Sequence, residues 1–165
     1  MRLPEDVTLR PATDADGEAI RHLIFGVLRE YGLQPEPDGT DADLFAITAT
    51  YEQSGGWFAC LVRDDGTVVG TVALFNVDAV TCELRKMYLA REVRGQGLGA
   101  FLLRQAIETA RRLGFQWMVL ETASVLKEAI ALYERAGFQR VTQPNHSCRC
   151  DAVYRLGLVR EGDQG

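Results

Sequence analysis

The sequence predicts a mixed α/β fold. A single β-sheet is antiparallel in its first half and carries a β-α-β crossover in its second. Three observations carry this expectation. Residues 57–89 hold three strand-like runs joined by tight connections. The apolar period then switches from alternating to helical at Leu98. A short, mostly apolar run, "FQWMVLET", follows that helix and precedes another, as a strand buried beside a parallel neighbour would. The expected order is β-α-α-β-β-β-α-β-α-β-β.

The elements follow in turn. "VTLRPAT" alternates and meets Pro11, so it reads as a first strand. After Asp14 and Asp16, Ile20, Leu23, Ile24, Val27 and Leu28 recur at helical spacing, and Gly32 ends the helix. "LQPEPDGTDADL" is a broken, acidic loop that leads to a short helix near Leu44. "WFACLVR" stops at "DDG", a hairpin turn signal, and "TVVGTVALFNV" and "TCELRKMYL" complete a meander. Leu98 to Leu113 is a long helix with Leu98, Phe101, Leu102, Ala106, Ile107 and Leu113 on one face, closed by Gly114. A strand at Phe115–Leu120, the helix "KEAIALYERAG", the strand "FQRV" and a last strand "AVYRLGL" finish the chain. One domain is expected over residues 1–160, with a frayed tail at 161–165.

Bulk properties narrow the function classes. The chain has 165 residues, 47% hydrophobic and 25% charged, with a net charge of -5. That balance points away from nucleic acid and membrane surfaces as partners, although Arg85, Lys86, Arg91 and Arg94 cluster in sequence. No signal-like or membrane-spanning apolar run occurs, so a cytoplasmic location is expected. Cys60, Cys82, Cys148 and Cys150 do not form a disulfide framework.

The segment "VRGQGLGAFLL" has three readings. Gly95 to Ala100 formally match the dinucleotide fingerprint G-x-G-x-x-G/A, but "AREVR" separates them from the strand, and antiparallel hairpins precede it. A Walker-type loop needs Lys and Ser/Thr where Ala100 and Phe101 stand. The third reading is R-x-x-G-x-G opening a helix, whose amides and partial positive charge suit a pyrophosphate. A glycine-rich helix start with no ligand is the bland alternative.

"CELRKMYLAREVRGQGLGAFLLRQAIETARRLGF" resembles the core motif of the GNAT superfamily, the acyl-CoA-dependent N-acyltransferases, and "EAIALYERAGF" resembles its next motif. The resemblance covers about Val7 to Leu158. It implies a GNAT fold whose sheet splits between the fourth and fifth strands. Acetyl-CoA would be the co-substrate, with its pantetheine arm along the backbone of Met87, Tyr88 and Leu89. The pyrophosphate would sit on Arg94, Gly95, Gln96, Gly97, Leu98, Gly99 and Ala100.

Acylating an amine of lysine-like pKa at pH 7 means removing a proton at a cost of about 4.6 kcal/mol. A carboxylate can take that proton, a strand amide can hold the oxyanion, and an acid can protonate the thiolate. Glu83 resembles the strand glutamate that is the base in histone-type members, and its side chain should share a face with Arg85 and Met87. An ion pair with Arg85 or Lys86 is the structural alternative. Glu121 resembles the base of members that act on protein N-termini. Tyr133 resembles the superfamily's general acid toward the coenzyme sulfur; simple packing is its alternative. Many members carry an asparagine two turns before that tyrosine, bonding the pantetheine arm. Here it is Leu126, so that contact is expected to be missing, with Thr122 or Ser124 as substitutes.

His146, Cys148 and Cys150 alternate, but the spacing is not that of structural zinc, and no metal is expected. Glu36, Asp38, Asp41 and Asp43 suggest either a solvated loop or a wall that attracts a cationic amine. Cys82 should point away from Glu83, which favours direct transfer in a ternary complex over an acyl-cysteine. The expected acceptor is a primary amine of a small molecule, and a homodimer is possible for this fold. The rival is a non-catalytic acyl-CoA-binding module of the same fold.

Overall fold

A computed structural model describes residues 2–142 and 149–159. Seven strands form one sheet in the order β1-β2-β3-β4-β5-β7-β6. They are β1 Val7–Pro11, β2 Trp57–Arg63, β3 Val68–Asn76, β4 Thr81–Leu89, β5 Trp117–Thr122, β6 Gln139–Val141 and β7 Ala152–Gly157. The helices are α1 Gly17–Glu30, α2 Leu98–Arg112 and α3 Lys127–Arg135. Neighbouring strands are antiparallel except β4 and β5, which run parallel as the crossover requires.

Each sheet face has its own core. Leu61, Val72, Leu74, Cys82, Leu84, Met118 and Leu120 pack against α2 and α3 on one side. Phe58, Cys60, Val62 and Ala73 pack against Ile20, Ile24 and Leu28 of α1 on the other. Alternation along β2 and β3 feeds both cores, so one sheet organises the described chain.

Several boundaries differ from expectation. β1 ends at Pro11, and Thr13 instead opens a capping box with Asp16. The expected short helix near Leu44 is a 3-10 turn, Ala42–Phe45, followed by a π-helical turn, Thr48–Glu52. Tertiary burial of Leu44, Ile47 and Tyr51 holds both turns, and such contacts leave no local signal. α2 stops at Arg112, and Leu113 is 46% exposed rather than core, while Leu103 and Ala110 widen the buried stripe. β5 begins at Trp117, two residues after Phe115, whose amide is still held by the Ala110 carbonyl.

Candidate active site

β4 and β5 pair only from Thr81–Trp117 to Glu83–Val119, after which the strands part. β4 continues to Leu89 bonded to β3 alone. The result is a cleft of about 1330 Å³ between them. Of the residues singled out from sequence, Met87, Tyr88, Leu89, Arg94, Gly95, Gly97, Leu98, Gly99, Ala100, Glu83, Glu121, Thr122 and Tyr133 all line it. Gln96 is exposed and does not.

The glycine turn closes one end. Gly95 and Gly97 have φ of 76° and 79°, the left-handed region where a Cβ is disfavoured. Gly97 is the N-cap of α2, and no side chain caps that end. The first turn of α2 therefore presents amides and the positive end of the helix dipole at the cleft. Arg94 stands at the rim. Its guanidinium donates to the Leu89 carbonyl at 3.1 and 3.0 Å, pairs with Glu30 and lies over Tyr31, fixing the turn to α1.

A bulge reshapes β4. Thr71 and Ala73 of β3 oppose Tyr88 and Arg85, so β4 holds one extra residue. Lys86 has φ 53°, and its carbonyl accepts from the Thr71 hydroxyl at 2.7 Å. The expectation that Glu83, Arg85 and Met87 share a face is thereby corrected. The bulge reverses the parity, so Met87 and Leu89 join the α2–α3 core and Tyr88 joins the α1 core.

Glu83 and Glu121 emerge from one face. Their neighbours Cys82, Leu84 and Leu120 all point into the α2–α3 core, leaving the carboxylates on the α1 side. Glu83 pairs with Arg85, which stacks 3.9 Å over the Phe75 ring. Tyr133 approaches from the α3 side, 5.8 Å from Phe138 between ring centroids. Burial raises the Tyr133 hydroxyl above its ordinary pKa, and the neighbouring Tyr88 and Cys150 add to the effect. It both packs in the core and lines the cleft. The gap between β4 and β5 thus has two carboxylates on one side and a protonated phenol on the other.

Other expectations resolve as follows. Thr122 lines the cleft, but Ser124 bonds Asp151 through both its amide and its hydroxyl, at 2.6 Å each. Leu126 lines the cleft where an asparagine is usual. Cys82 is buried, and burial pushes its thiol up to about 12, unlike a nucleophile. Cys60 and Cys82 are free thiols. His146 and Cys148 lie outside the described residues, and among those described no cluster of three metal-ligand side chains occurs. No described helix is long and apolar enough to cross a membrane.

The four loop acids separate. Glu36 lines the cleft and Asp38 is exposed, but Asp41 is fully buried in ion pairs with Lys86 and Arg149. The apparent basic cluster dissolves likewise, since Arg85, Lys86 and Arg94 each face a carboxylate. Sequence reasoning missed Lys86 and Arg149, whose partner Asp41 lies 45 and 108 residues away.

The model of the Acetyltransferase (GNAT) family matches residues 21–138. An uncharacterized N-acetyltransferase, YjgM, of Escherichia coli K12 is 39% identical over 143 residues, covering 84% of this chain and 85% of its own. A second uncharacterized N-acetyltransferase, from Schizosaccharomyces pombe, is 26% identical and covers 93% and 89%. Among solved structures, a GNAT-family acetyltransferase from Staphylococcus aureus Mu50 superposes with a TM-score of 0.87 at 22% identity, over 93% of this chain and 99% of that one. The Salmonella typhimurium putative acetyltransferase yncA, solved with acetyl-CoA, gives 0.73 at 23% identity, over 94% and 95%.

Proposed function

The chain belongs to the GNAT acetyltransferase family, and we propose that it moves the acetyl group of acetyl-CoA to a primary amine of a small molecule by direct transfer. The observation that carries this reading is the gap between β4 and β5 beyond Glu83, with an uncapped helix N-terminus at one end and proton-transfer groups on both sides. The acetyl-CoA bound by yncA, and by a phosphinothricin acetyltransferase of Sinorhizobium meliloti, supports the choice of donor. The residues present fit a pyrophosphate at the glycine turn. At Gly95 a Cβ would meet nothing within 4 Å, so the space before the turn is open to a ligand.

In this reading the pantetheine arm runs beside Met87 to Leu89, the β4 stretch that β5 leaves unpaired. The amine nitrogen attacks the thioester carbonyl from the α1 side. Glu83 or Glu121, directly or through water, takes the ammonium proton before attack. A β4 amide beside the carbonyl holds the oxyanion. As the carbon–sulfur bond breaks, Tyr133 gives its phenolic proton to the thiolate. Its raised pKa keeps that proton in place until then. The products are the amide and coenzyme A: of the two protons the ammonium loses, the first ends on a carboxylate or in solvent, and the second, shed by the attacking nitrogen as the intermediate collapses, returns through solvent to the Tyr133 phenolate. The free thiols at Cys60 and Cys82 suit a reducing compartment such as the cytoplasm.

The test is coenzyme thiol release from acetyl-CoA across a panel of small primary amines, with the N-acetyl product identified by mass. At least one amine should raise release well above the amine-free rate. Tight acetyl-CoA binding with no amine response would overturn acetyl transfer to such acceptors.

A further inference from the structure

We propose that Asp41 is a positioning residue: one buried carboxylate that fastens the acceptor wall of the cleft to the β4 bulge. The side chain of Asp41 is fully buried, at 0% exposure. One oxygen accepts from Lys86 Nζ at 2.6 Å. Both oxygens accept from the Arg149 guanidinium, at 2.7 Å each, and the Glu36 amide donates to Oδ2 at 2.8 Å. Three segments that are remote in sequence therefore close on one anion: the loop after α1, the bulge of β4, and the residues leading into β7.

The surrounding bonds reinforce the knot. Arg149 also donates to the Gln34 carbonyl at 3.2 Å, and Lys86 to the Thr40 carbonyl at 3.2 Å. Lys86 reaches Asp43 at 3.4 Å, and Asp43 accepts from the hydroxyl of fully buried Tyr51. With the Glu83–Arg85 pair on the same strand and Glu36 4.0 Å from Arg149, four carboxylates face three cations along this side of the cleft. Removing one of the buried members leaves another's charge uncompensated.

Position gives the knot its consequence. Leu33, Glu36, Gly39 and Thr40 on the loop side, and Arg149 and Cys150 on the β7 side, line the cleft opposite Glu83 and Tyr88. Asp41 itself does not line it. It acts through Lys86 and Arg149, holding both walls at fixed distance from the strand that carries Glu83. Among the described residues the pyrophosphate end, built on α2 and Arg94, is held by Glu30 and the Leu89 carbonyl and not by this set, although Arg149 also meets Tyr88 beside the pantetheine path. Loosening the knot should therefore harm use of the amine far more than hold on the coenzyme.

This inference rests on the acetyl-transfer reading only for its kinetic readout. Asp41→Asn, Arg149→Met and the double variant are compared with the full-length wild type by hydrogen–deuterium exchange, acetyl-CoA titration and steady-state kinetics. The kinetic probe is whichever of L-methionine, L-lysine, tyramine and spermidine the wild type acetylates best. Arg149→Met keeps the Asp41–Lys86 pair and serves if Asp41→Asn fails to fold. Both single variants should speed exchange at 33–45 and 149–152 by about tenfold or more, and leave α2 unchanged. The amine kcat/KM should fall about thirtyfold, while acetyl-CoA affinity stays within about threefold. The double variant should be no worse than the worse single one, since both break one knot. Unchanged exchange in the two walls would overturn the proposal. So would loosening that reaches α2 and weakens acetyl-CoA equally, or loosened walls with an unchanged amine kcat/KM. A wild type that acetylates no amine refutes the acetyl-transfer reading instead, and the exchange pattern then decides the anchor by itself.

Discussion

Tyr133 keeps its proton more firmly than a tyrosine in water, because burial disfavours the phenolate. That keeps the group protonated in the resting site, as the proposed proton donor must be. Tyr133→Phe should leave acetyl-CoA affinity within about twofold and lower kcat about a hundredfold, the lower range for a lost acid catalyst. Parallel titration and single-turnover measurements check both. Asp41 behaves oppositely. Burial pushes its carboxyl up, but the Arg149 hydrogen bonds and the Lys86 charge outweigh this and hold it at about 2 against an ordinary 3.8. Its contribution is present above the ordinary value and is lost as pH falls through about 2; linkage sets it at about 2 kcal/mol. Urea midpoints at pH 6 and pH 2 should differ more for the wild type than for Asp41→Asn. The place of Tyr133 at the cleft was legible from "ALYERAGF"; the partners of Asp41 were not, since no local pattern joins residues 41, 86 and 149.

At the scale of elements, the strands and α-helices of the described residues were located from sequence, because alternating or helical apolar patterns mark β4, β5 and the helices, while continuous apolar runs mark β2 and β3. Periodicity failed where tertiary contacts override the repeat. The β4 bulge sits at a lysine with positive φ, a residue that gives no turn signal, and the ion pairs of that lysine hold it there. The N-cap of α3 is Leu126, which makes no side-chain cap bond and is not packed into either core. An asparagine there would cap the helix, which is worth about 0.5–1 kcal/mol. Leu126→Asn should therefore raise the thermal midpoint by about 1–4 °C in calorimetry. Since residue 126 lines the cleft, the same change should tighten acetyl-CoA binding.

For the molecule as a whole, the parted strands leave strand edges that a ligand in the cleft can pair. β4 beyond Glu83 and β5 beyond Val119 give up the pairing that an unbroken sheet would have. A ligand filling the gap binds the folded state alone. At a concentration about a hundredfold above Kd it adds about 2.7 kcal/mol, which raises the thermal midpoint by about 5–10 °C. The same gap makes the glycine turn the decisive feature, because it joins a strand with one free edge to a helix with an uncapped start. The most direct measurement is a calorimetric titration of acetyl-CoA into the wild type and into Gly97→Val. Gly97 sits at φ 79°, where valine is strained by about 1–2 kcal/mol, in the turn proposed to hold the pyrophosphate. The expected result is saturable 1:1 binding by the wild type and none by a Gly97→Val variant that still folds. Equal affinity in the two proteins, or no binding by the wild type, would contradict the assignment of this cleft to acetyl-CoA.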